Sequence, residues 1–217
     1  MFEFENYNTI FFDCDGVIFD TNKLKSDAFL QSVLNYGKTE ALQFQNYHIE
    51  NGGISRFVKF SYFFENILKR HPKIGELEDL SHKFSRIVRE NIATANYRAC
   101  ISKLRKRNKH QDWIVVSGSN YTELRWLFSK KNLTDLFHGN IYGSPLDKYE
   151  IIERYMQKSV LREPTLMIGD SAYDLEVSQY FNFDFLFVYE WSEWPKWDND
   201  TRLLNHKIMK SLNCLCS

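Results

Sequence analysis

The segment TIFFDCDGV (residues 9–17) sets an apolar run directly before two carboxylates. Thr9–Phe12 is β-prone and apolar, which is typical of a strand buried on both faces of a parallel sheet. Because successive side chains of an extended chain point to opposite sides, Asp13 and Asp15 can project into one crevice while Cys14 faces away. We therefore expect the chemistry to lie where this first strand ends.

Two carboxylates in this arrangement suit phosphoryl transfer. One can attack phosphorus and bind Mg²⁺, while the other exchanges a proton with the leaving oxygen and then with water. On its own, however, the pattern Asp-x-Asp-Gly is equally typical of a strand-ending turn in which aspartates make local hydrogen bonds. Residues elsewhere in the chain are needed to distinguish between these two interpretations.

Four further apolar runs predict strands of the same sheet: Trp113–Val116, Asn140–Tyr142, Thr165–Ile168 and Phe183–Tyr189. Helical patterns lie between them, such as Leu124, Leu127 and Phe128 after the first of these runs. An alternation of strands and helices implies βαβ units with a parallel sheet. The predicted fold class is therefore α/β, with a Rossmann-like core.

Residues 21–96 interrupt this alternation, because the strand signal disappears there. The spacing of Phe57 and Phe60 with later apolar residues predicts packed amphipathic helices instead. We therefore predict a catalytic core formed by residues 1–20 and 97–217, and a small all-helical cap, residues 21–96, inserted after the first strand. At 217 residues the chain is long enough for both parts.

Three other strand ends carry polar residues suited to a phosphate site. Ser117 and Gly118 offer a hydroxyl and a flexible backbone to phosphate oxygens. Lys148 is predicted at a helix start, where a fixed cation can offset the charge that grows on a pentavalent phosphorus. Asp170 and Asp174 follow another strand, one able to bind a metal and one able to orient its neighbours. Each segment is also typical of an ordinary helix cap, but four such strand ends in order are hard to explain by capping alone.

In these four segments the sequence resembles the haloacid dehalogenase superfamily, in its phosphoglycolate phosphatase and β-phosphoglucomutase-like branch, and the insertion resembles its helical cap of the first type. The resemblance implies that Asp13 is the nucleophile that forms an aspartyl-phosphate and that Asp15 is the general acid and base. The implied Mg²⁺ ligands are Asp13, the backbone carbonyl of Asp15, and Asp170. The implied phosphate-binding residues are Ser117, Gly118 and Lys148. Asp174 would lie behind the metal ligands, near metal-bound water or Lys148.

Two basic residues of the insertion are candidate substrate contacts. Arg56 ends the segment 52–56, which resembles the cap loop that reaches into the active site, and it could pair with a second anionic group or with sugar hydroxyls. A helix-start arginine facing water is the alternative. Lys25 stands where the β-phosphoglucomutase branch presents a histidine, so the resemblance disfavours a mutase. Residues 20–22 are expected to cap the first inserted helix and to form the hinge of a lid, although capping alone would also explain them.

The charge balance excludes whole classes of partner. The chain has 28 basic and 28 acidic residues, so we expect neither nucleic acid nor an anionic membrane as a partner. Its four cysteines lack zinc or redox spacing and favour a reduced, cytoplasmic setting, and no export signal or membrane-spanning run is recognised. Trp191, Trp194 and Trp197 are expected to cover a sheet edge, with a sugar ring or a partner protein as alternatives. The oligomeric state stays open.

The predicted function is Mg²⁺-dependent hydrolysis of a small phosphorylated metabolite, such as a sugar phosphate. The alternatives are a sugar phosphomutase of the same family and, from another class, a ligand-binding protein that has kept only the fold. Asp15 favours phosphate-ester hydrolysis over carbon–halogen cleavage, because the dehalogenase branch lacks that acid. The sequence does not choose among sugar, glycolate-like and nucleotide esters.

Overall fold

Six short parallel strands form the centre of the computed structural model, which describes residues 2–216. Their bounds are β1 Thr9–Phe12, β2 Asp112–Asn120, β3 Ile141–Ser144, β4 Thr165–Gly169, β5 Asp184–Val188 and β6 Lys207–Met209. They lie in the order β3-β2-β1-β4-β5-β6, with Thr9 of β1 opposite Asp112 of β2. The predicted parallel sheet is confirmed. β2 runs beyond the predicted end at Val116 to Asn120, and β6 has no counterpart in the sequence prediction.

Eight α-helices lie in the described part of the chain: α1 Asn22–Val33, α2 Lys38–Glu50, α3 Arg56–Tyr62, α4 Glu76–Ile92, α5 Ile101–Arg107, α6 Tyr121–Lys130, α7 Lys148–Lys158 and α8 Ala172–Tyr180. A short π-helical segment, Phe63–Ile67, continues α3. Helices α6, α7 and α8 connect successive strands from β2 to β5, which confirms the α/β, Rossmann-like fold class. None of the described helices is both long and apolar enough to cross a membrane.

Alternate residues of β1 pack into two apolar layers, one on each face of the sheet. Ile10 and Phe12 belong to one buried cluster, whereas Phe11 belongs to the other, with Ile151 of α7 and Met167 of β4. All four residues of β1 are buried. This two-sided burial explains the continuous apolar run in the sequence, and it means that the chain leaves the core only where β1 ends.

Helices α1 to α4 all lie within residues 21–96 and pack around a shared set of aromatic rings: Phe29, Phe44, Phe60, Phe63 and Phe84. The chain passages that enter and leave this insertion lie side by side. The amide of Asp20 donates to the carbonyl of Asn96 at 3.0 Å, and the amide of Arg98 donates to the carbonyl of Ile18 at 2.9 Å. The division into a core and a cap at these positions stays a prediction, and the paired passages are the kind of connection that a hinge uses.

Candidate active site

Asp13 emerges from β1 into a buried cluster of charges. It is 3% exposed, and its Oδ1 accepts a hydrogen bond from Lys148 Nζ at 2.7 Å. Lys148, the first residue of α7, also donates to Asp174. Burial raises the pKa of Asp13 to about 7, against the opposite effect of the Lys148 charge. Burial lowers the pKa of Lys148, but the two carboxylates outweigh it and hold that pKa above its ordinary value.

Asp15 forms a second ion pair, this time with the insertion. Lys25 Nζ lies 2.6 Å from both carboxylate oxygens of Asp15. The hydroxyl of Ser119 donates to Oδ2 at 2.7 Å, and the hydroxyl of Thr21 donates to Oδ1. Burial raises the pKa of Asp15, but the Lys25 charge and these hydrogen bonds outweigh it, so the pKa lies below its ordinary value. Groups from the insertion and from β2 therefore hold Asp15 in its ionised form.

Three buried carboxylates, those of Asp13, Asp170 and Asp174, have oxygen atoms within 4.8 Å of one another. Burial raises the pKa of Asp170 well above its ordinary value, and the other two carboxylates add to that effect. A hard divalent cation such as Mg²⁺ prefers carboxylate oxygens and would offset this excess of negative charge. The residues present therefore fit a Mg²⁺ site. That the backbone carbonyl of Asp15 is a further ligand stays a prediction.

The acidic cluster leaves no room for a side chain at Gly16. This residue has a φ of +76°, and a Cβ placed there would lie 2.1 Å from Asp170 Oδ2. The turn after Asp15 can therefore pass close to the carboxylates only because the residue is glycine. Another member of the acidic cluster, Asp174, accepts a hydrogen bond at Oδ2 from the hydroxyl of Ser171 at 2.6 Å. Asp174 thus joins the cluster itself and is also fixed by the start of α8.

The segment after the buried part of β2 lies against the insertion. Ser117 is buried, and its Oγ accepts from the amide of Ser119 at 3.1 Å. A Cβ on Gly118 would lie 2.1 Å from the carbonyl oxygen of Gly53, so the loop at residues 52–53 approaches the core as the resemblance implies. Phosphate binding by Ser117 and Gly118 stays a prediction, and the close approach explains why position 118 has no side chain.

A cavity of about 740 Å³, part of it open to solvent, lies over these groups. Asp13, Asp15 and Asp170 line it from the core, and Lys25 and Arg56 line it from the insertion. The sequence analysis missed several other lining side chains: His48, Lys59 and Glu193. None of these three stands in a motif, and only their position in the folded chain brings them to the cavity.

A sequence model of the haloacid dehalogenase-like hydrolase family matches residues 7–181. The chain belongs to this family. The match includes β1 to β4, the insertion and the segments that carry every residue of the acidic cluster. The resemblance stated from the sequence is therefore confirmed, and the chain is a hydrolase by family.

Solved structures of the same fold agree with this assignment. A provisionally named phosphoglycolate phosphatase from Lactobacillus plantarum is 14% identical, with a TM-score of 0.70 over 97% of this chain and 98% of that chain. A provisionally named β-phosphoglucomutase from Bacteroides vulgatus is 13% identical, with a TM-score of 0.70 over 97% of this chain and 86% of that chain. A provisionally named hydrolase of the family from Bacillus subtilis, solved with bound magnesium, is 19% identical, with a TM-score of 0.65 over 97% of both chains. No curated protein sequence matches the chain.

The start of α1 in this hydrolase differs in detail from the sequence prediction. Thr21 is the residue that precedes α1, as expected, but its side chain makes no capping hydrogen bond. Its hydroxyl donates to Asp15 instead. The side chain of Asn22 donates to Asp170 Oδ2 at 2.6 Å and to the carbonyl of Trp191 at 2.8 Å. The expectation of side-chain capping was wrong, because the backbone of Thr21, with φ −127° and ψ −6°, departs from the extended conformation of an N-cap residue and its hydroxyl is directed at Asp15.

Arg56 does not face water, since only 4% of it is exposed. Its guanidinium donates to both carboxylate oxygens of Glu123 on α6, at 3.0 and 2.5 Å, and to the hydroxyl of Ser85 on α4. The alternative of a solvent-facing arginine is therefore wrong. Arg56 lines the cavity and joins the insertion to the core. A contact between Arg56 and substrate stays a prediction.

We expect Arg56→Met to lower the free energy of unfolding by about 1–3 kcal/mol, because Glu123 loses two charge-assisted hydrogen bonds in a partly buried setting. Urea unfolding would measure this change. The matched control is Arg154→Met on the exposed side of α7, which should be nearly neutral. Equal stability of the two variants would show that the pair with Glu123 contributes nothing to joining the insertion and the core.

The tryptophan loop after β5 contacts the sheet and also reaches the site. Trp194 and Trp197 pack on Phe187 of β5, and β6 lies beside β5 at the sheet edge. Trp194 also lines the cavity. Trp191 has the guanidinium of Arg98 3.2 Å from its ring centroid. The loop thus covers one face of β5 rather than the edge of the sheet, and it forms one wall of the site.

Proposed function

We propose that this hydrolase removes phosphate from a small phosphorylated metabolite, with Mg²⁺ as cofactor and an aspartyl-phosphate on Asp13 as intermediate. One observation carries the proposal. The carboxylate of Asp13 lines a cavity and lies beside the fixed ammonium of Lys148 and the carboxylates of Asp170 and Asp174, with Asp15 in the same cavity. This is the group of charges that nucleophilic attack on a phosphate ester needs.

In the first step an oxygen of Asp13 bonds to phosphorus while the bond from phosphorus to the leaving oxygen breaks. Asp15 is ionised in the free protein, so it must take up a proton before this step, and it then gives that proton to the leaving oxygen. The resulting Asp15 carboxylate is the form that Lys25, Thr21 and Ser119 stabilise. In the second step this carboxylate takes a proton from water as the water oxygen bonds to phosphorus and the bond to Asp13 breaks. The products are an alcohol and inorganic phosphate.

Charge compensation is the second requirement of this reaction. Lys148 touches Asp13 and so lies where it can bind a phosphate oxygen next to the nucleophile. Mg²⁺ bound by Asp13, Asp170 and the backbone carbonyl of Asp15 would reduce the repulsion between the nucleophile and a negatively charged phosphate. Ser117 and Gly118 would orient the phosphate. We also propose a cytoplasmic location, on the cysteine spacing alone.

The first test is phosphate release from a panel of sugar phosphates, nucleotides and phosphoglycolate. We expect at least one ester to release phosphate, and removal of Mg²⁺ with a chelator to lower the rate by about 100-fold or more. Asp13→Asn is the blank. Isomerised sugar phosphate without free phosphate would favour the mutase alternative. Binding without any turnover would favour the ligand-binding alternative, and either result would overturn the proposal.

A further inference from the structure

Lys59 of α3 is a buried cation without a carboxylate partner. It is 1% exposed, and its Nζ lies 2.7 Å from His48 Nδ1 and 3.5 Å from the carbonyl of His48. Among residues 2–216, no carboxylate lies within ion-pair distance of it. The other buried cations of the described chain, Arg56, Arg98 and Lys148, each have at least one carboxylate partner. Because an unpaired buried charge is costly, the exception points to a partner that the chain does not supply.

The candidate active site gives such a partner access to Lys59. Both Lys59 and His48 line the cavity that also contains Asp13. Aromatic rings lie next to the ammonium, since Lys59 Nζ lies 5.4 Å from the ring centroid of Phe29, whose ring packs on Phe84. A ligand group that enters this part of the cavity therefore meets a buried ammonium beside aromatic rings, where an ion pair is stronger than in water.

The charges of Lys59 and His48 indicate which kind of ligand would bind there. Burial lowers the pKa of Lys59 to about 7, with Lys25 and Lys148 acting in the same direction and Asp15 and Glu193 against it. Burial lowers the pKa of His48 well below its ordinary value, so the ring is neutral. Its Nδ1 then accepts from the Lys59 ammonium, which holds the ammonium in place and leaves N–H groups of Lys59 free to donate to a ligand. A bound anion favours the protonated form of Lys59, which then offers a single positive charge with N–H donors and so matches a singly charged acceptor such as a carboxylate.

We propose that Lys59, held in place by His48, forms a subsite for a carboxylate on the leaving group of the substrate. This inference rests on the proposed phosphatase function and narrows it, because phosphorylated hydroxy acids are then the preferred substrates over sugar phosphates that lack a second charge. A second phosphate fits less well, since Glu50 and Glu193 line the same cavity and would repel a doubly charged group.

The test compares esters that differ only in the second group: 3-phosphoglycerate against glycerol 3-phosphate, and phosphoglycolate against 2-hydroxyethyl phosphate. In wild type we expect kcat/KM to favour the carboxylate member of at least one pair on the order of 100-fold, because a buried charged donor discriminates against a partner that leaves it unpaired. In Lys59→Met the ratio of the two kcat/KM values should fall toward one, mainly because kcat/KM for the carboxylate ester decreases. A ratio near one in wild type, or an equal loss on both esters in Lys59→Met, would overturn the subsite.

Glu193→Gln is the matched control, since it removes a charge from the same cavity with the opposite sign. It should keep or increase the preference for the carboxylate ester, and a loss of that preference would contradict the assignment to Lys59. Lys59→Met removes a buried charge and should unfold at the same temperature as wild type or higher. A variant that is at least as stable as the wild type has no folding defect. A loss of its preference for the carboxylate ester could therefore not be caused by lower stability.

A binding measurement separates this inference from the proposed function. Calorimetric titration of Asp13→Asn with 3-phosphoglycerate in Mg²⁺ should give a dissociation constant at least about tenfold lower than that of Asp13→Asn/Lys59→Met. If wild type releases no phosphate but this difference persists, the phosphatase proposal fails and the carboxylate subsite stands. If phosphate is released and the two dissociation constants agree, the carboxylate subsite is wrong while the phosphatase proposal stands.

Discussion

Asp13→Asn is expected to reduce phosphate release by about 10⁴-fold or more while the protein still folds, because an amide oxygen does not replace a carboxylate as nucleophile. The substitution keeps the shape of the side chain. It removes one of three neighbouring buried carboxylates, while Lys148 keeps its contact with Asp174. The fold should therefore lose little stability. Phosphate release at saturating substrate and thermal unfolding would measure the two effects.

The matched control is Asp135→Asn, which makes the same chemical change at an exposed position outside the cavity. Rapid acid quenching of wild type during turnover should also leave phosphate on the peptide that contains Asp13, and none on that peptide in Asp13→Asn. Near-normal turnover in Asp13→Asn would rule out this residue as the nucleophile, and an unfolded variant would be uninformative about chemistry but would contradict the expected stability.

The sequence predicted the parts of the fold that burial dictates. β1 is buried on both faces, so its residues form a continuous apolar run that is visible without a structure. β6 was missed because Lys207–Met209 has only three residues, too few for a recognisable pattern, and lies at the edge of the sheet, where none of them is buried. The first five strands followed from composition, whereas the sixth depends on pairing with β5.

The residues of the candidate site also fall into two groups, those that could be predicted from the sequence and those that could not. The residues at the ends of parallel strands could be expected to meet, because those ends share one edge of the sheet. The partners within the insertion could not, since they depend on how separate helices pack. Lys59 and His48 stand eleven positions apart on different helices, and Glu123, the partner of Arg56, lies in the core. No spacing rule links such pairs, so the carboxylate subsite can be inferred only from the folded chain.

Lys148→Met is expected to impair stability and chemistry together. Lys148 contacts both Asp13 and Asp174 while fully buried, so its loss leaves two carboxylates unpaired beside Asp170. We expect the free energy of unfolding to fall by about 3–5 kcal/mol in the absence of metal. Phosphate release should fall by about 10²–10³-fold, because a fixed donor next to the nucleophile is lost. Lys158→Met, an exposed position on the same helix, is the control and should change neither quantity.

The double variant Lys148→Met/Asp174→Asn separates these two effects. It removes one positive and one negative charge, so the cluster regains the charge balance that it has in the wild type, and urea unfolding should show most of the lost stability restored. Phosphate release should stay as low as in Lys148→Met, because restoring the charge balance does not return a donor to the phosphate. If activity recovered together with stability, Lys148 would act on turnover only by holding the fold, and the proposed contact between Lys148 and the phosphate would be wrong. Stability is expected to recover in the double variant while phosphate release stays low. The comparison therefore tests the role of Lys148 in the reaction separately from its role in the core.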